Sequence, residues 1–428
     1  MRPSPRAVAI DVVRRVADEG AYSNRLLPPT LARSGLDTRD RALVTELVYG
    51  TLRHVPELDA AIGARAARPI ERMTPGARAA LRVGAYQVLH TRVPAHAAVG
   101  ETVGAVVPRE RGFVNAILRR LVTDPPATPK KTDDRGMSLR SGMAPWAIAE
   151  LRKVVAPDEV EAAALALGER GPLSIRVNTC RIDVDDAVRA LADAGSSPVP
   201  GAIHPDCLLL EGGDPTELPG WPDGWFAVQD QASAFVVESL DPRDGDRVLD
   251  ACAAPGGKTA FLACRAGAAG SVVAGDLRHG RAALIPPLLE RLRLRARVLV
   301  QDATRPAARG PYHRILVDAP CSGIGSARRR PELLWRPRRE ELSRLARLQV
   351  AITTAAAELL APGGRLVYSV CTFPRAETDA ACDAIVRHRP DLRPIETPGP
   401  DGPAHRHRLW PHRHGTDGMF VAAFERSS

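Results

Sequence analysis

The sequence has few aromatic residues, few lysines and no long hydrophobic run. Aromatic residues make up 4% of the 428 positions, and only four lysines accompany 55 arginines. No apolar run approaches the ~20 residues that a membrane helix needs, and no secretory core follows the first ten residues. We therefore expect a cytoplasmic protein with no membrane partner. The length and the apolar fraction of 44% suffice for two or three domains with full cores.

Cysteine pairs and two nucleotide-binding motifs are also missing. The seven cysteines form no CxxC pair, so we expect a reducing compartment and neither a disulfide framework nor a zinc site. The dinucleotide fingerprint GxGxxG is absent, and the triphosphate loop GxxxxGK[ST] fails because Cys252 occupies the position of its first glycine. Four cysteines read as small buried side chains, namely Cys180, Cys207, Cys264 and Cys382.

The stretch DACAAPGGKT (250–259) is the organising motif of the second half of the chain. It lies between two short apolar runs, which predicts a strand, a glycine loop and a helix. Gly256 and Gly257 lack a Cβ and let the backbone approach a ligand, while the helix start offers free N–H groups. In an open α/β sheet such a loop lines the cofactor crevice, here for a cofactor smaller than a dinucleotide. Lys258 is one of four lysines, so its place in this loop indicates a need for a compact ammonium group; chance is the alternative.

Positive charge is concentrated in residues 1–123, which hold 19 arginines and 11 acidic residues, whereas the other 305 residues are nearly neutral. Apolar residues in this region recur at helical spacing between proline-containing turns, which predicts a helical bundle. A basic module attached to a neutral body favours a structured nucleic acid as partner. A solvated arginine-rich surface is the competing interpretation.

Three further regions follow. Residues 124–144 combine prolines, charges of both signs and no periodic apolar face, which predicts a linker. Residues 145–225 read as a small α+β subdomain. Residues 226–428 alternate strands and helices, which predicts a doubly wound, Rossmann-like parallel sheet. The predicted strands are 247–250, 271–275, 298–301, 314–317, 365–370 and 419–424, and the predicted helices are 259–266, 279–292, 338–361 and 377–388.

Acidic residues end three successive predicted strands: Asp276, Asp302 and Asp318. Strand-end carboxylates around a glycine loop can accept hydrogen bonds from ribose hydroxyls or from an adenine amino group. A single such residue is more often a helix or turn cap. Three in one series favour a nucleoside-type cofactor.

Two motifs place cysteines at the carboxyl ends of adjacent predicted strands. They are DAPCSG (318–323), which contains Cys321, and YSVCTFPRAETD (368–379), which contains Cys371. Two thiols that face one crevice predict paired thiol catalysis, with a disulfide as the less favoured alternative.

These motifs, in this order, resemble the RNA cytosine-5 methyltransferases of the Fmu/RsmB/Nop/Sun family. The ending GTDGMFVAAFER (415–426) resembles that family's final strand. DRALVTELVYGTLR (40–53) and FVNAILRRL (113–121) resemble the NusB-type helical RNA-binding domain. The combination is similar to the members that act on 16S ribosomal RNA, and the resemblance covers all of the chain except the linker.

The resemblance implies S-adenosylmethionine as methyl donor and small-subunit ribosomal RNA, free or partly assembled, as partner. It makes Cys371 the nucleophile and Cys321 the group that assists product release, while Asp318 bonds the base edge and borders the cofactor. Asp276 would hold the ribose and Asp302 the adenine. The loop around the methionine part would consist of Cys252, Ala253, Ala254, Pro255, Gly256, Gly257 and Lys258.

The chain departs from the family pattern after the second cysteine. The family often has serine there and an acid–asparagine pair a few residues on, whereas this chain has Thr372 and then Glu377-Thr378-Asp379. The sequence leaves open how this loop is braced and which positive group lowers the pKa of Cys371.

Several basic residues are candidates for RNA contact or metal binding. Asn115 reads as structural, whereas Arg119 and Arg120 are candidates for phosphate contact. The arginines around Trp335 suit phosphates and an unstacked base, with a solvated helix approach as the alternative; they are Arg328, Arg329, Arg330, Arg336, Arg338 and Arg339. The four histidines His405, His407, His412 and His414 match no ligand spacing, so we expect a basic surface loop and no metal.

Three other functions stay open. The motifs do not exclude the same chemistry on transfer RNA, which is the runner-up, and a non-catalytic RNA-binding or ribosome-assembly factor would keep the fold without turnover. A DNA cytosine methyltransferase is disfavoured because its nucleophile would lie at the Pro320-Cys321 position and Cys371 would have no use.

Overall fold

The computed structural model describes residues 4–127 and 133–427, which divide into two compact units. The first unit comprises the described residues up to Arg170 together with Ala327–Arg339, and the second comprises Gly171–Ser326 and Glu340 onward. The chain therefore leaves the second unit after Ser326, contributes thirteen residues to the first, and returns. Across the described ranges, none of the helices combines the length and apolar character that crossing a membrane requires.

The first unit is helical, as the apolar spacing predicts. Its core is formed by apolar residues of several helices, among them Leu47 and Leu52 from α3 and Leu81 from α5, all without exposed surface. In chain order the helices are α1 (Pro5–Asp18), α2 (Ser23–Arg33), α3 (Thr38–Arg53), α4 (Val55–Gly63), α5 (Pro75–His90), α6 (Ala95–Gly104), α7 (Pro108–Thr123), α8 (Asp134–Ser141), α9 (Pro145–Leu151) and α10 (Val160–Gly168).

Helix α8 lies inside the region predicted to be a linker, so that prediction is wrong for residues 134–141. The Asp133 carboxylate caps the helix by accepting the Gly136 N–H at 2.7 Å, and Met137 is buried. A helix of eight residues with little apolar periodicity is specified by its cap and its packing rather than by its pattern. Residues 128–132 of the predicted linker lie outside the described part.

The segment Ala327–Arg339 is anchored among the helices of the first unit. The Trp335 indole N–H donates to the Leu52 carbonyl at 2.8 Å, and the Arg336 guanidinium donates to the Val16 and Ala21 carbonyls at 2.6 Å each. Trp335 packs against the apolar core of the same unit. These two side chains hold the segment in place, which corrects the prediction that they surround an unstacked base.

The second unit begins with a small four-stranded antiparallel sheet of order β2-β3-β1-β4. Arg176 of β1 has no exposed surface; its Nε donates to the Gln229 carboxamide oxygen at 2.7 Å and its guanidinium lies over the Phe261 ring. The elements are β1 (Leu173–Val177), α11 (Val184–Asp193), β2 (Val199–Pro200), β3 (Cys207–Leu210) and β4 (Phe226–Val228).

A larger mixed sheet follows, with the order β10-β12-β9-β8-β5-β6-β7 and β11 paired to β12. The five strands from β9 to β7 are parallel, as predicted, and helices pack on them. β12 pairs antiparallel with β9, and β10 and β11 each pair antiparallel with β12. The strands are β5 (Arg247–Asp250), β6 (Ser271–Asp276), β7 (Arg297–Val300), β8 (Tyr312–Asp318), β9 (Leu360–Val370), β10 (Leu392–Ile395), β11 (Arg406–Leu409) and β12 (Met419–Arg426). The helices are α12 (Gln231–Leu240), α13 (Gly257–Ala266), α14 (His279–Ala282), α15 (Ile285–Arg291), α16 (Leu342–Glu358), α17 (Asp379–His388) and α18 (Pro411–His414).

Cys180 and Cys264 form a disulfide, which corrects the prediction that neither is paired. Cys180 follows β1 and Cys264 lies in α13, 84 residues further along the chain. The sequence could not indicate the pairing, because it depends on how the small sheet packs against α13 rather than on a local cysteine spacing. The other five cysteines are free thiols.

The histidines near the C-terminus do not form the surface loop that the sequence predicts. His407 is buried in β11 with its Nε2 2.9 Å from the Thr397 hydroxyl, and His414 is buried with its Nδ1 accepting the Trp410 N–H. Only His405 of the four is exposed. The ring nitrogens of His407 and His414 are therefore hydrogen-bonded within the fold.

A different histidine group lies in the first unit. His54, Glu57 and His90 bring possible metal-ligand atoms within 4.8 Å of one another. His90 pairs with the Glu57 carboxylate at 2.9 Å, and the His54 Nδ1 lies 2.8 Å from the Gly50 carbonyl oxygen. The three side chains thus find partners in each other and in the backbone.

Candidate active site

Cys321 and Cys371 lie at the carboxyl ends of two adjacent parallel strands. β8 and β9 are paired in register so that Asp318 lies opposite Ser369; Cys371 follows β9 directly, and Cys321 lies three residues after the end of β8. The two sulfur atoms are 3.5 Å apart and both are free thiols. The structure therefore brings together the two cysteines that the sequence predicts as a pair.

The turn after Cys321 approaches the second cysteine through a glycine. The Gly325 N–H donates to the Cys371 carbonyl at 3.0 Å, and the Gly325 carbonyl accepts the Gly418 N–H at 2.8 Å. A Cβ at Gly325 would come within 2.1 Å of the Gly418 carbonyl oxygen, so this contact requires glycine. The hydrogen bond to Cys371 and burial raise the pKa of Cys321 well above its ordinary value. Cys321 therefore rests as a thiol that can donate to the Cys371 sulfur.

Asp318 lies beside the thiols and is held from both sides. The Lys258 ammonium donates to Asp318 Oδ2 at 2.8 Å, and the Ser369 hydroxyl donates to Oδ1 at 3.0 Å. Lys258 also lies 3.3 Å from the Ser233 hydroxyl. Ser369 of β9 lies in the second cysteine motif without a predicted role, and Ser233 of α12 lies outside the motifs.

Lys258 is a buried cation of the predicted site that interacts with Asp318 and Cys371. Burial, the largest single influence, disfavours its ammonium form, but the charge and hydrogen bond of Asp318, with smaller contributions from Cys371 and Asp250, together raise the pKa of Lys258. Lys258 thus links the glycine loop electrostatically to the predicted nucleophile.

The glycine loop has the geometry of a ligand cradle. Gly256 has a φ of +109°, which suits glycine and few other residues, and α13 begins at Gly257. The Ala253 N–H donates to the Gly275 carbonyl of β6 at 2.8 Å, which attaches the loop to that strand. Ala254 and Pro255 follow in the loop. Cys252 lines the loop as a thiol whose pKa is raised by burial.

The two acids predicted to hold ribose and adenine differ in environment. Asp276 is buried at the end of β6 and accepts the Ala254 N–H at 3.3 Å and the Arg281 guanidinium at 3.1 Å. Asp302 is exposed and accepts the backbone and hydroxyl of Thr304 at 2.9 and 2.7 Å; these bonds lower the pKa of Asp302. Asp276 therefore faces the glycine loop, whereas Asp302 caps its own turn.

Asp250, at the end of β5, is a site residue that the sequence analysis did not assign. It is buried, which raises its pKa to about 7, and it accepts the Thr259 hydroxyl at 2.7 Å. Its other oxygen, Oδ1, is buried without a hydrogen-bond partner among the described residues. An unpaired carboxylate oxygen at the head of the glycine loop fits the ammonium group of an amino-acid-bearing cofactor.

A parallel sheet of this order, with a glycine loop after β5 and an acid ending β6, defines the class of S-adenosylmethionine-dependent methyltransferases. The crystal structure of the protein PH0851 is similar over 100% of both chains, with a TM-score of 0.85 and 25% identity. NSun6 from Pyrococcus horikoshii, solved with SFG, shares the fold over 66% of this chain and 98% of its own, with a TM-score of 0.59 and 21% identity.

The family is also shown by sequence. Models of the 16S rRNA methyltransferase RsmB/F family, the RsmF/B-like ferredoxin-like domain and the NusB family match residues 237–425, 144–217 and 3–123. Ribosomal RNA small subunit methyltransferase B of Serratia proteamaculans is 34% identical over 97% of both chains, and a putative methyltransferase of Mycobacterium tuberculosis is 37% identical over 98% and 96%. The chain belongs to the RsmB/F family of ribosomal RNA methyltransferases, and S-adenosylmethionine is its cofactor.

Proposed function

We propose that this enzyme methylates C5 of a cytosine in small-subunit ribosomal RNA through a covalent bond between Cys371 and C6 of the base. The observation that carries the proposal is the pair of free sulfurs 3.5 Å apart at the ends of β8 and β9. A methyltransferase that transfers to a nucleophilic nitrogen or oxygen has no need of a thiol, whereas cytosine C5 is too poor a nucleophile to react unaided.

The steps balance with the two thiols, the methyl donor, which leaves as S-adenosylhomocysteine, and water, which accepts the C5 proton. The Cys371 thiolate adds to C6, which makes C5 electron-rich like the carbon of an enamine. S-adenosylmethionine, when bound, supplies the methyl group that C5 takes. C5 then gives up its proton to a base, the bond between C6 and the Cys371 sulfur breaks, and the aromatic ring and the thiolate are restored. Cys321, next to the leaving sulfur, assists this release.

Lys258 and Asp318 complete the site around the base. Lys258 would favour the thiolate of Cys371, because a nearby positive charge stabilises a thiolate. Asp318 presents a carboxylate that can accept from the cytosine N4 amino group. Because Lys258 and Ser369 fix the two oxygens of Asp318, the carboxylate is oriented before the base arrives.

The cofactor contacts follow from the glycine loop. Residues 252–258 would enclose the methionine part, and Asp250 Oδ1 would accept a hydrogen bond from its ammonium group. Asp276, which already accepts from Arg281, would also accept from the ribose hydroxyls. We also propose Asp302 for the adenine, which requires it to release Thr304 or bind through its free lone pairs.

The target base must leave its stack to reach the sulfurs. In the first unit, Arg119 is exposed and donates to Asn115 at 3.1 Å, while the exposed Arg120 donates to the Arg65 carbonyl at 3.0 Å. These arginines stay candidates for phosphate contact, with Asn115 in the structural role that the sequence favours.

The test is a comparison of wild type, Cys371→Ala and Cys321→Ser with small-subunit ribosomal RNA and S-adenosylmethionine. We expect 5-methylcytidine from wild type, none from Cys371→Ala, and a slow-migrating, nuclease-sensitive RNA adduct on denaturing gels from Cys321→Ser. An adduct that requires Cys321 and survives loss of Cys371 would reverse the two roles.

Parallel reactions separate the remaining substrates. Free 16S ribosomal RNA, partly assembled small subunits and transfer RNA are compared under one set of conditions. Methylation of transfer RNA alone would replace the substrate and keep the chemistry. Binding of ribosomal RNA with no methyl transfer to any of the three would instead favour a non-catalytic assembly factor.

A further inference from the structure

A buried carboxylate lies directly behind the two thiols. Glu377 has no exposed surface and follows Cys371 by six residues, in the short 3-10 turn Arg375–Glu377. Its Oε1 accepts the Ser322 N–H and the Gln349 side-chain amide, each at 2.9 Å, and its Oε2 accepts the Ser322 hydroxyl at 2.5 Å. Three donors thus converge on one glutamate side chain.

These bonds join the two cysteine-bearing turns. Ser322 follows Cys321, Thr372 follows Cys371, and their hydroxyl oxygens are 2.7 Å apart. The chain therefore connects the two sulfurs through Ser322, Glu377 and Thr372 as well as through the sheet. Each bond of this path is buried, so water does not compete for it.

Gln349 of α16 and Tyr368 of β9 fix the glutamate from the other side. The Gln349 amide also donates to the Pro320 carbonyl at 3.0 Å. The Tyr368 hydroxyl lies 2.7 Å from the Glu377 carbonyl oxygen and 3.0 Å from Gln349 Oε1. The turn before Cys321 and the turn after Cys371 are thereby attached to one another through a helix.

We propose that Glu377 is a positioning residue that sets the spacing of the Cys321 and Cys371 sulfurs. The claim about spacing stands on the hydrogen bonds alone, and its consequence for methyl transfer rests on the function proposed above. Glu377 is fully buried and acts through Ser322 and Thr372 rather than by touching the base. Glu377 thus answers how the loop is braced where this chain departs from the family pattern.

A glutamine at 377 can preserve the arrangement, whereas an alanine cannot. The glutamine carbonyl would accept the two N–H groups that Oε1 accepts now, and its amide would donate to Ser322 Oγ, whose hydroxyl would donate to Thr372. Alanine leaves the Ser322 N–H, the Ser322 hydroxyl and the Gln349 amide without their acceptor. The two variants therefore separate loss of the brace from loss of the charge.

The experiment measures thiol spacing without RNA or cofactor. Full-length wild type, Glu377→Ala and Glu377→Gln are oxidised with diamide, which takes two electrons and two protons from a thiol pair, and the Cys321–Cys371 cross-link is followed by peptide mass spectrometry. We expect Glu377→Gln to cross-link within about threefold of wild type and Glu377→Ala at least tenfold more slowly. Cross-linking of Glu377→Ala at the wild-type rate would overturn the proposal.

Two further variants control the result. Glu332→Ala removes an equally buried, serine-bound glutamate of the first unit and should cross-link at the wild-type rate. Ser322→Ala removes only the bond to Oε2 and should slow cross-linking by a smaller factor, which keeps the test decisive if Glu377→Ala does not fold. Equal slowing in Glu332→Ala and Ser322→Ala would mean general loosening and would also overturn the proposal.

Methyl transfer is measured on the same proteins. We expect kcat to fall about 100-fold in Glu377→Ala, because small misplacement of reacting groups has effects of this size, with KM for S-adenosylmethionine nearly unchanged. Recovery in Glu377→Gln to within about fivefold of wild type supports the positioning role. If Glu377→Ala cross-links slowly but wild type makes no 5-methylcytidine, the spacing claim stands and the proposed function is rejected.

Discussion

Glu332 in the first unit and Glu377 in the second bind a serine in the same way. Each is fully buried and accepts both the backbone N–H and the hydroxyl of its serine: Ser23 at 3.0 and 2.7 Å for Glu332, and Ser322 at 2.9 and 2.5 Å for Glu377. Glu332 is 309 residues from its serine and holds a segment of chain among helices. Glu377 is 55 residues from its serine and holds two reactive thiols.

The neighbours of each glutamate decide what the shared geometry does. Glu332 stands next to Leu333 and Leu334, which are buried, so its bond to Ser23 completes a packed core. Glu377 has Gln349 as a further donor and lies six residues after Cys371. The same pair of hydrogen bonds therefore packs a chain segment in one unit and, in our proposal, positions the two thiols in the other.

The largest effect should come from removing the cation that lies beside the two thiols. Lys258→Met deprives Asp318 of its cation and Cys371 of a nearby positive charge. We expect methyl transfer to fall by about 100- to 1,000-fold, a range typical of groups that stabilise charge in active sites. The pH dependence of iodoacetamide labelling of Cys371 should shift to higher pH. Unchanged labelling would contradict the role of Lys258.

The next effect should fall on stability alone. Glu332→Ala leaves the Ser23 N–H and hydroxyl buried without acceptors, and we expect the free energy of unfolding of the first unit to drop by about 2–4 kcal/mol. Denaturant unfolding followed by Trp335 fluorescence measures this loss. Methyl transfer per folded molecule should stay within about twofold of wild type; a 100-fold loss would erase the contrast with Glu377.

A smaller, pH-dependent effect should distinguish Glu377 itself. Burial raises the pKa of Glu377 despite bonds from Ser322 and Gln349. The folded state therefore holds this proton more tightly than the unfolded state, and ionisation weakens folding as pH rises from the ordinary glutamate pKa through the raised value. Compared with wild type, Glu377→Gln should gain free energy of unfolding between about pH 4 and pH 7. A constant difference across that range would contradict the raised pKa.

The smallest effect should come from Thr372. Thr372→Ala removes one buried hydroxyl contact to Ser322, which is worth about 1 kcal/mol, and we expect a loss of severalfold in methyl transfer. Thr372→Ser, which installs the residue that the family often has, should match wild type within about twofold. Equal rates for the alanine and serine variants would show that the Glu377 bonds suffice without Thr372.

Local patterns predicted the parts of the molecule that local sequence controls. The strand leading to Asp250, the glycine loop and the two cysteine turns each carry their signal within about ten residues, and the sheet order confirms the fold they predict. Roles of individual site residues stay predictions until the variants are measured.

Pairings between distant residues gave no such signal. The Cys180–Cys264 disulfide joins residues 84 apart, and the bond between Ser23 and Glu332 spans 309. Trp335 illustrates the resulting error: an aromatic residue among arginines reads as a surface for RNA, but its indole N–H is bonded to Leu52 in the helical core. Burial of a polar side chain depends on a partner that the sequence does not place.

Because the thirteen residues Ala327–Arg339 belong to the helical unit, neither unit corresponds to one continuous stretch of the chain. The helical unit includes this segment, although the segment lies within the methyltransferase part of the sequence, and Glu332 and Leu334 of the segment are buried. A truncation that keeps only residues 1–170 would lack these side chains, and one that starts at 171 would carry them with nothing to cover them. Functional dissection of this enzyme is therefore better done by point substitution than by cutting it at the boundary between sequence families.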